Sequence, residues 1–243
     1  MKIYLLLLIA VLCLTEKKKG LLSILWDCCK PSCSFINISN GHPARQCDVS
    51  MNILDDPNAE SLCDGGISTT CLDQMPIVVN DKLAYAFAAI PEINSCGKCY
   101  ELIFTGKGKY ETTLNHQKLF GKKLIVIGTN IGWVSNAYEH RFELLVPGGE
   151  AIGFIDGCPK ILGNNIGRDL LLKCEIEVGY RPDDERIYKE RKSCLASNCK
   201  ESFTGIKQAL EGCLFLANWL EAASYALFEY EEVECPQELL SKY

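Results

Sequence analysis

"SILWDCCKPSCSF", residues 23–35, sets Asp27 between a tryptophan and two adjacent cysteines, followed by a lysine, a proline and a third cysteine. Three chemistries put an acid in such company: a metal site, a thiol redox site, or disulfides that hold a carboxylate in place. Zinc wants paired Cys/His spacings and a closed set of four ligands. Cys28, Cys29 and Cys33 have no such partner pair, and His42, His116 and His140 are scattered. "CGKC" (96–99) is a C-x-x-C, but a thioredoxin-like site needs a βαβ setting that the surrounding sequence does not offer. No metal and no organic cofactor is indicated, which leaves the disulfides.

The compartment agrees. Lys2 precedes an apolar run, "YLLLLIAVLCL" (4–14), too short to span a bilayer and of the length of a signal-peptide core. Residues 1–15 are therefore expected to be a signal peptide, cleaved after Cys13 or Thr15, ahead of an unusual lysine run in "TEKKKG". No second apolar stretch is long enough to cross a membrane, so a secreted, soluble protein is expected. Of fifteen cysteines, fourteen remain after Cys13 is set aside, an even number that in an exported chain reads as a disulfide framework. The formal charge of −6 becomes about −7 without Lys2. Nucleic acid and anionic membrane both need basic patches, so neither is an expected partner. A neutral polymer fits better.

Residues 16–243 show no repeat, no low-complexity tract and no linker, and a single domain is expected. Residues 36–71 are loop-like, pinned by Cys47, Cys63 and Cys71. "NDKLAYAFAAI" (80–90) reads as a short helix, with Asn80 as N-cap and Leu83, Phe87 and Ile90 on one face. "CYELIF" (99–104), "KKLIVIG" (122–128), "HRFELLV" (140–146) and "AIGFID" (151–156) read as strands, as does the alternating "LLKCEIEV" (171–178). The stretch 204–228 has mixed periodicity and decides for neither helix nor strand in its second half. Short strands with long stapled loops suggest a β-barrel.

The blocks together resemble glycoside hydrolase family 45, the endoglucanases. "WDCCKPSC" (26–33) matches that family's N-terminal signature. It is followed in order by "GGISTTCLDQMPIVVNDKLAYAFAA" (65–89), "CYELIF", "GKKLIVIGTN" (121–130), "FELLVPGG" (142–149), "FIDGC" (154–158) and "VECPQEL" (233–239). The resemblance runs from about residue 23 to 239 and is weakest between 160 and 212. It implies a mainly β fold, a six-stranded double-psi β-barrel with long disulfide-tied loops and a few short helices. Residues 16–243 would be one catalytic-type domain without a separate carbohydrate-binding module, acting as a monomer. It also implies the pairs Cys28–Cys158, Cys29–Cys63, Cys33–Cys96, Cys47–Cys71, Cys99–Cys235 and Cys199–Cys213. Cys174 and Cys194 are left to pair with each other. A further bridge usual in the family is absent, with Gly97 at its first position.

Family members cleave internal β-1,4-glucosidic bonds with inversion, using a general base that activates water and a general acid that protonates the leaving oxygen. By motif position Asp27 is the base and Glu143 the acid. Strand phase agrees for Glu143, since Phe142 and Leu144 share one face and Glu143 points to the other. Read without the family, Glu143 is simply a solvated strand residue. Trp26 and Phe35 are candidate sugar-stacking platforms or core, with Phe35 the preferred platform. Lys30 is a cleft contact or a solvated charge. "NIS" (37–39) is an N-glycosylation acceptor at Asn37, and the acidic "EYEEVEC" (229–235) reads as a solvated face.

Several positions depart from the family pattern. The acid is Glu where Asp is usual, Leu25 stands where Tyr usually precedes Trp-Asp, and Phe35 replaces Trp. The loop that normally carries an assisting Asp reads "GWVSNAYEHR" (132–141), with Asn136 or Glu139 as stand-ins and Asn136 the candidate substrate contact. An Arg-Tyr-Gly-Gly element near 185 is not recognisable, and "EAASYA" (221–226) replaces an Asp-Asn-Pro-like loop. Two functions follow as expectations. One is a secreted hydrolase of plant cell-wall β-1,4-glucan, either cellulose or a side-chain-bearing chain such as xyloglucan. The other is a catalytically silent glucan-binding protein of the expansin kind.

Overall fold

The computed structural model describes residues 17–39, 41–92, 94–132, 140–151, 155–164, 166–179 and 184–243. The expected signal peptide, Asn136, Glu139 and the middle of the strand expected at 151–156 lie outside them. Among the described residues seven strands form one sheet: β1 (Lys18–Leu25), β2 (Ile77–Asn80), β3 (Leu83–Ile90), β4 (Cys99–Gly108), β5 (Lys123–Ile131), β6 (His140–Leu145) and β7 (Ala226–Val233). Their order is β2-β3-β5-β4-β7-β1-β6, and an added β3–β6 pairing closes six of them into a ring. The closure is short, Ala88 opposite Leu144 and Ala89 opposite Glu143. The β1/β6 and β3/β5 pairs are parallel and the other pairs antiparallel. This is the closed barrel of six strands that the resemblance implied.

Alternation along each strand fills the barrel. Leu22 and Ile24 of β1, Tyr100, Leu102 and Phe104 of β4, and Leu124 and Val126 of β5 point inward. Phe142 and Leu144 of β6 and Phe228 and Tyr230 of β7 join them. Phe142 sits edge-on to Phe228 at 5.3 Å and to Tyr230 at 4.8 Å between ring centroids, the arrangement that ring quadrupoles favour. Opposite these large rings β3 offers only Ala84, Ala86 and Ala88 before Ile90. That corrects the helix expected at 80–90. Its alanines provide interior space in a strand, and Phe87 faces the other way, into a small cluster with Cys99, Ile127 and Leu239. Asn80 caps no helix. Its Oδ1 accepts the N–H groups of Lys82 at 2.8 Å and Leu83 at 3.0 Å, which makes the β2–β3 turn.

A second correction concerns "LLKCEIEV". It lies in a helix, α3 (Leu170–Val178), one of six with α1 (Leu114–Leu119), α2 (Cys158–Leu162), α4 (Glu185–Ser202), α5 (Lys207–Asn218) and α6 (Gln237–Leu240). Leu170, Leu171, Cys174 and Glu175 are buried at helical spacing, while the alternating Leu172 and Ile176 are exposed. The Cys174–Cys194 disulfide ties α3 to α4, and the buried Glu175–Arg191 ion pair, at 3.4 Å, repeats that tie. The undecided stretch 204–228 divides into α5 and the start of β7.

β1 itself was not foreseen, because its lysines were read as flanking a signal peptide. Two of these lysines are ion-paired within the fold: Lys17 with Glu231 of the acidic strand at 2.7 Å, and Lys18 with Glu92, just after β3, at 2.8 Å. Gly20 lets the Phe228 ring cross β1, since a Cβ there would lie 2.4 Å from the ring.

The end of β1 is fixed by backbone. The "VPGG" loop folds back so that Val146 N–H donates to Leu25 C=O (3.1 Å), Glu150 N–H to Ile24 C=O (3.2 Å) and Trp26 N–H to Glu150 C=O (2.7 Å). Gly149 makes the approach possible: a Cβ there would meet Leu25 backbone atoms at 2.8 and 2.9 Å. Gly149→Ala is expected to lower stability by about 1–3 kcal/mol, read as a reduced midpoint in thermal or denaturant unfolding. An unchanged midpoint would show that this crossing is not tight.

Candidate active site

Asp27 leaves β1 into a cage. Its backbone C=O accepts Gly157 N–H at 2.8 Å, and its Oδ1 accepts Cys29 N–H at 2.9 Å. Cys28 adopts the left-handed backbone region (φ +56°), which costs energy for a residue with a Cβ. Three ties hold it there: the Cys28–Cys158 and Cys29–Cys63 disulfides, and the Thr69 hydroxyl, which donates to Cys28 C=O. Cys33–Cys96, Cys47–Cys71, Cys99–Cys235 and Cys199–Cys213 complete the same seven pairs that the sequence led us to expect. Where the family's further bridge is absent, Gly97 packs against the Tyr243 ring, whose Cζ a Cβ at Gly97 would approach to 3.3 Å.

Two residues that the sequence reading did not assign join this cage. Arg168 donates through one Nη to Trp26 C=O and through the other to Asp156 Oδ1. Asp156 Oδ1 also accepts Cys158 N–H at 2.9 Å, so it links the arginine to the bridged loop. Asp156 had a signal in "FIDGC", two residues before a bridging cysteine. Arg168 had none, because it lies in the weakest part of the resemblance.

Burial raises the Asp27 carboxyl above its ordinary range. Opposing that rise are the N–H groups of Cys29 and of Asp27 itself and the Arg168 charge, while Asp156 adds to it. Asp27 thus has built-in donors for its ionised form.

Glu143 stands on the outer face of β6, between Ser23 of β1 and Ala89 of β3. Phe142 and Leu144 on either side of it are fully buried within the barrel, as the strand phase predicted. Burial raises its carboxyl too; Arg141 opposes the rise, and Glu150 and Asp27 reinforce it. Asp27 is thus close enough for its charge to be felt at Glu143. Glu143 faces one cation and two anions, and no backbone N–H is among the causes that act on it.

The remaining candidates divide. Trp26 is 3 % exposed and packs edge-on to Phe203 at 6.0 Å, so it is a core residue with no open face for a sugar. Lys30 is also buried, at 4 % exposure, and is not a cleft contact. Its ammonium donates to Pro57 C=O (2.7 Å) and Ala59 C=O (2.8 Å) and lies 3.8 Å from the Phe35 ring centroid. Phe35 is half-buried, with this cation over its ring. Asn37 is exposed in the turn 36–39.

The family model for glycosyl hydrolase family 45 matches residues 19–171. The chain belongs to that family. The match ends at the start of the helical segment, where the sequence resemblance also weakens. Endoglucanase B of Cellvibrio japonicus (strain Ueda107) is 35 % identical over 229 residues, covering 89 % of this chain and 43 % of that protein. The chain thus spans less than half of that bacterial relative, and 50 % of one from Fusarium oxysporum that is 34 % identical. An endoglucanase of the springtail Cryptopygus antarcticus is 30 % identical over 92 % of this chain and 87 % of its own. The crystal structure of a cellulase from the same springtail superposes with a TM-score of 0.69, at 28 % identity over 94 % of this chain and 96 % of that one.

Removing the bridge that holds the left-handed turn, in a Cys28→Ala/Cys158→Ala double variant, is expected to cost about 2–5 kcal/mol. Thermal unfolding without reductant checks it. A variant as stable as the wild type would mean that hydrogen bonds alone hold Asp27.

Proposed function

We propose that the protein is a secreted, inverting endo-hydrolase of β-1,4-glucan chains, with Asp27 as general base and Glu143 as general acid. The observation that carries this reading is the pair itself. Glu143 on β6 and Asp27, two residues past the end of the parallel strand β1, are both half-buried, and the Asp27 charge acts on Glu143. Asp27 is supplied with donors for its anion, and Glu143 is set beside one cation and two anions.

In this mechanism the Asp27 carboxylate takes a proton from a water that attacks the anomeric carbon. Glu143 gives its proton to the glycosidic oxygen as the bond to that carbon breaks. The cycle leaves Asp27 protonated and Glu143 ionised, and exchange with solvent restores both. Seven disulfides support the secreted location, since they persist in oxidising compartments. The Phe35 ring is the residue we assign to sugar contact, with Lys30 against it. Retention of both carboxyls, rather than one, favours hydrolysis over silent binding.

The test is reducing-end release by the purified protein on carboxymethylcellulose, xyloglucan and glucomannan. Release is expected on at least one, reduced about 10²–10⁴-fold in Glu143→Gln and in Asp27→Asn. Release that persists in Glu143→Gln would remove Glu143 as the acid, and none on any substrate would leave a binding protein. Stability gives a companion check. Because its folded-state carboxyl is raised, Glu143 begins to cost stability as pH rises through the ordinary carboxylate range, costs the most above its raised value, and costs nothing in acid below that range. Glu143→Gln should therefore melt higher than the wild type near neutral pH and level with it in acid.

A further inference from the structure

The family resemblance implies an assisting Asp on the loop before the acid, and the sequence there carries no Asp, only Asn136 or Glu139 as stand-ins. The structure brings a different carboxylate to Glu143, from the loop after it. Arg141 and Glu143 share one face of β6. The Arg141 Nε donates to the Ser23 hydroxyl at 2.7 Å, which anchors the guanidinium on β1. From there it lies 3.5 Å from Glu143 Oε1 and 3.9 Å from Glu150 Oε2, one cation between two carboxylates. The Tyr225 hydroxyl donates to the other Glu150 oxygen, Oε1, at 3.3 Å. Tyr225 is itself held in the left-handed region (φ +46°), as are Glu221 and Ala222 in the segment before it, a cost that persists only where the surroundings impose it.

We propose that Glu150, fixed by Arg141 and Tyr225, is a positioning residue that keeps the proton on Glu143. The inference rests on Glu143 being the acid. One guanidinium neutralises one carboxylate, so the cluster is neutral when a single proton is shared between two carboxyls. Solvent decides where that proton resides. The Glu150 side chain is 38 % exposed and hydrogen-bonded to a phenol, whereas that of Glu143 is 16 % exposed. Burial disfavours the charge on Glu143, so that is the carboxyl on which the shared proton is held. Among the described residues, the charges acting on Glu143 are Arg141 on its own strand, Glu150 on the following loop and Asp27 at the end of β1. β3, on its other side, presents Ala88 and Ala89. Glu150 follows Gly149, whose backbone contact with Leu25 fixes where the side chain starts.

The experiment titrates the side-chain carboxyls of the full chain, ¹³C-labelled at glutamate, by NMR, with the Glu143 signal assigned by its loss in Glu143→Gln. In Glu150→Gln the Glu143 midpoint is expected to fall by about one unit, roughly tenfold in proton affinity. Glu150→Asp should restore part of that fall. Tyr225→Phe, which leaves every charge in place, should lower the midpoint by less. In turnover the alkaline limb of kcat/KM should move to lower pH in Glu150→Gln while the acidic limb, set by Asp27, stays. A structural role alone would depress the rate at every pH without moving a limb. An unmoved Glu143 midpoint in Glu150→Gln would overturn the proposal. A fallen midpoint in a protein that releases no sugar would uphold the link between Glu150 and the Glu143 proton and reject the hydrolase reading instead.

Discussion

The 2.7 Å hydrogen bond from Trp26 N–H to Glu150 C=O is the contact on which the rest depends. It joins the end of the first strand to the loop that returns from β6, and Gly149 is what allows the two backbones to meet. On one side of this crossing the chain enters the Asp27 cage. On the other, β6 carries Glu143 and the loop carries Glu150. Among the described residues the barrel is closed by two residue pairs between β3 and β6. The geometry of the two carboxyls is held by the six-residue pairing of β1 with β6, by this backbone contact and by the disulfides.

That construction explains how the site tolerates a rebuilt surface. Asp27 is supported by Cys29 N–H, Gly157 N–H, the Thr69 hydroxyl on the next carbonyl, and two bridges. None of these uses the positions that depart from the family pattern. Around Glu143, the side chain that is Glu where the family resemblance implies Asp, a second carboxylate at 150 occurs with Arg141 between the two. The two carboxyls are thus stabilised differently, Asp27 by backbone N–H donors together with the Arg168 charge, and Glu143 by a balance of charges alone.

Much of this was legible in the sequence, for physical reasons that differ by element. β4, β5 and β6 alternate cleanly, and Glu143 could be put on the outer face from Phe142 and Leu144 alone. β3 could not be read in this way. Its alanines are chosen for the space opposite Phe142, Phe228 and Tyr230, and alanine is also the best helix former. α3 misled in the opposite sense, because Leu172 and Ile176 are exposed and the alternation they produce is accidental. β1 was hidden by Lys17 and Lys18, whose partners Glu231 and Glu92 become neighbours only once the ring has closed. Ion pairs across a barrel leave no local trace, whereas the motif around Asp27 does.

The central claim is that Asp27 directs water onto the anomeric carbon from the face opposite Glu143. The most direct measurement is the configuration of the newly formed reducing end, followed by ¹H NMR in the first moments of hydrolysis, before mutarotation. The account predicts that the α-anomer appears first. Initial release of the β-anomer would mean a retained configuration and a covalent step, and would contradict it.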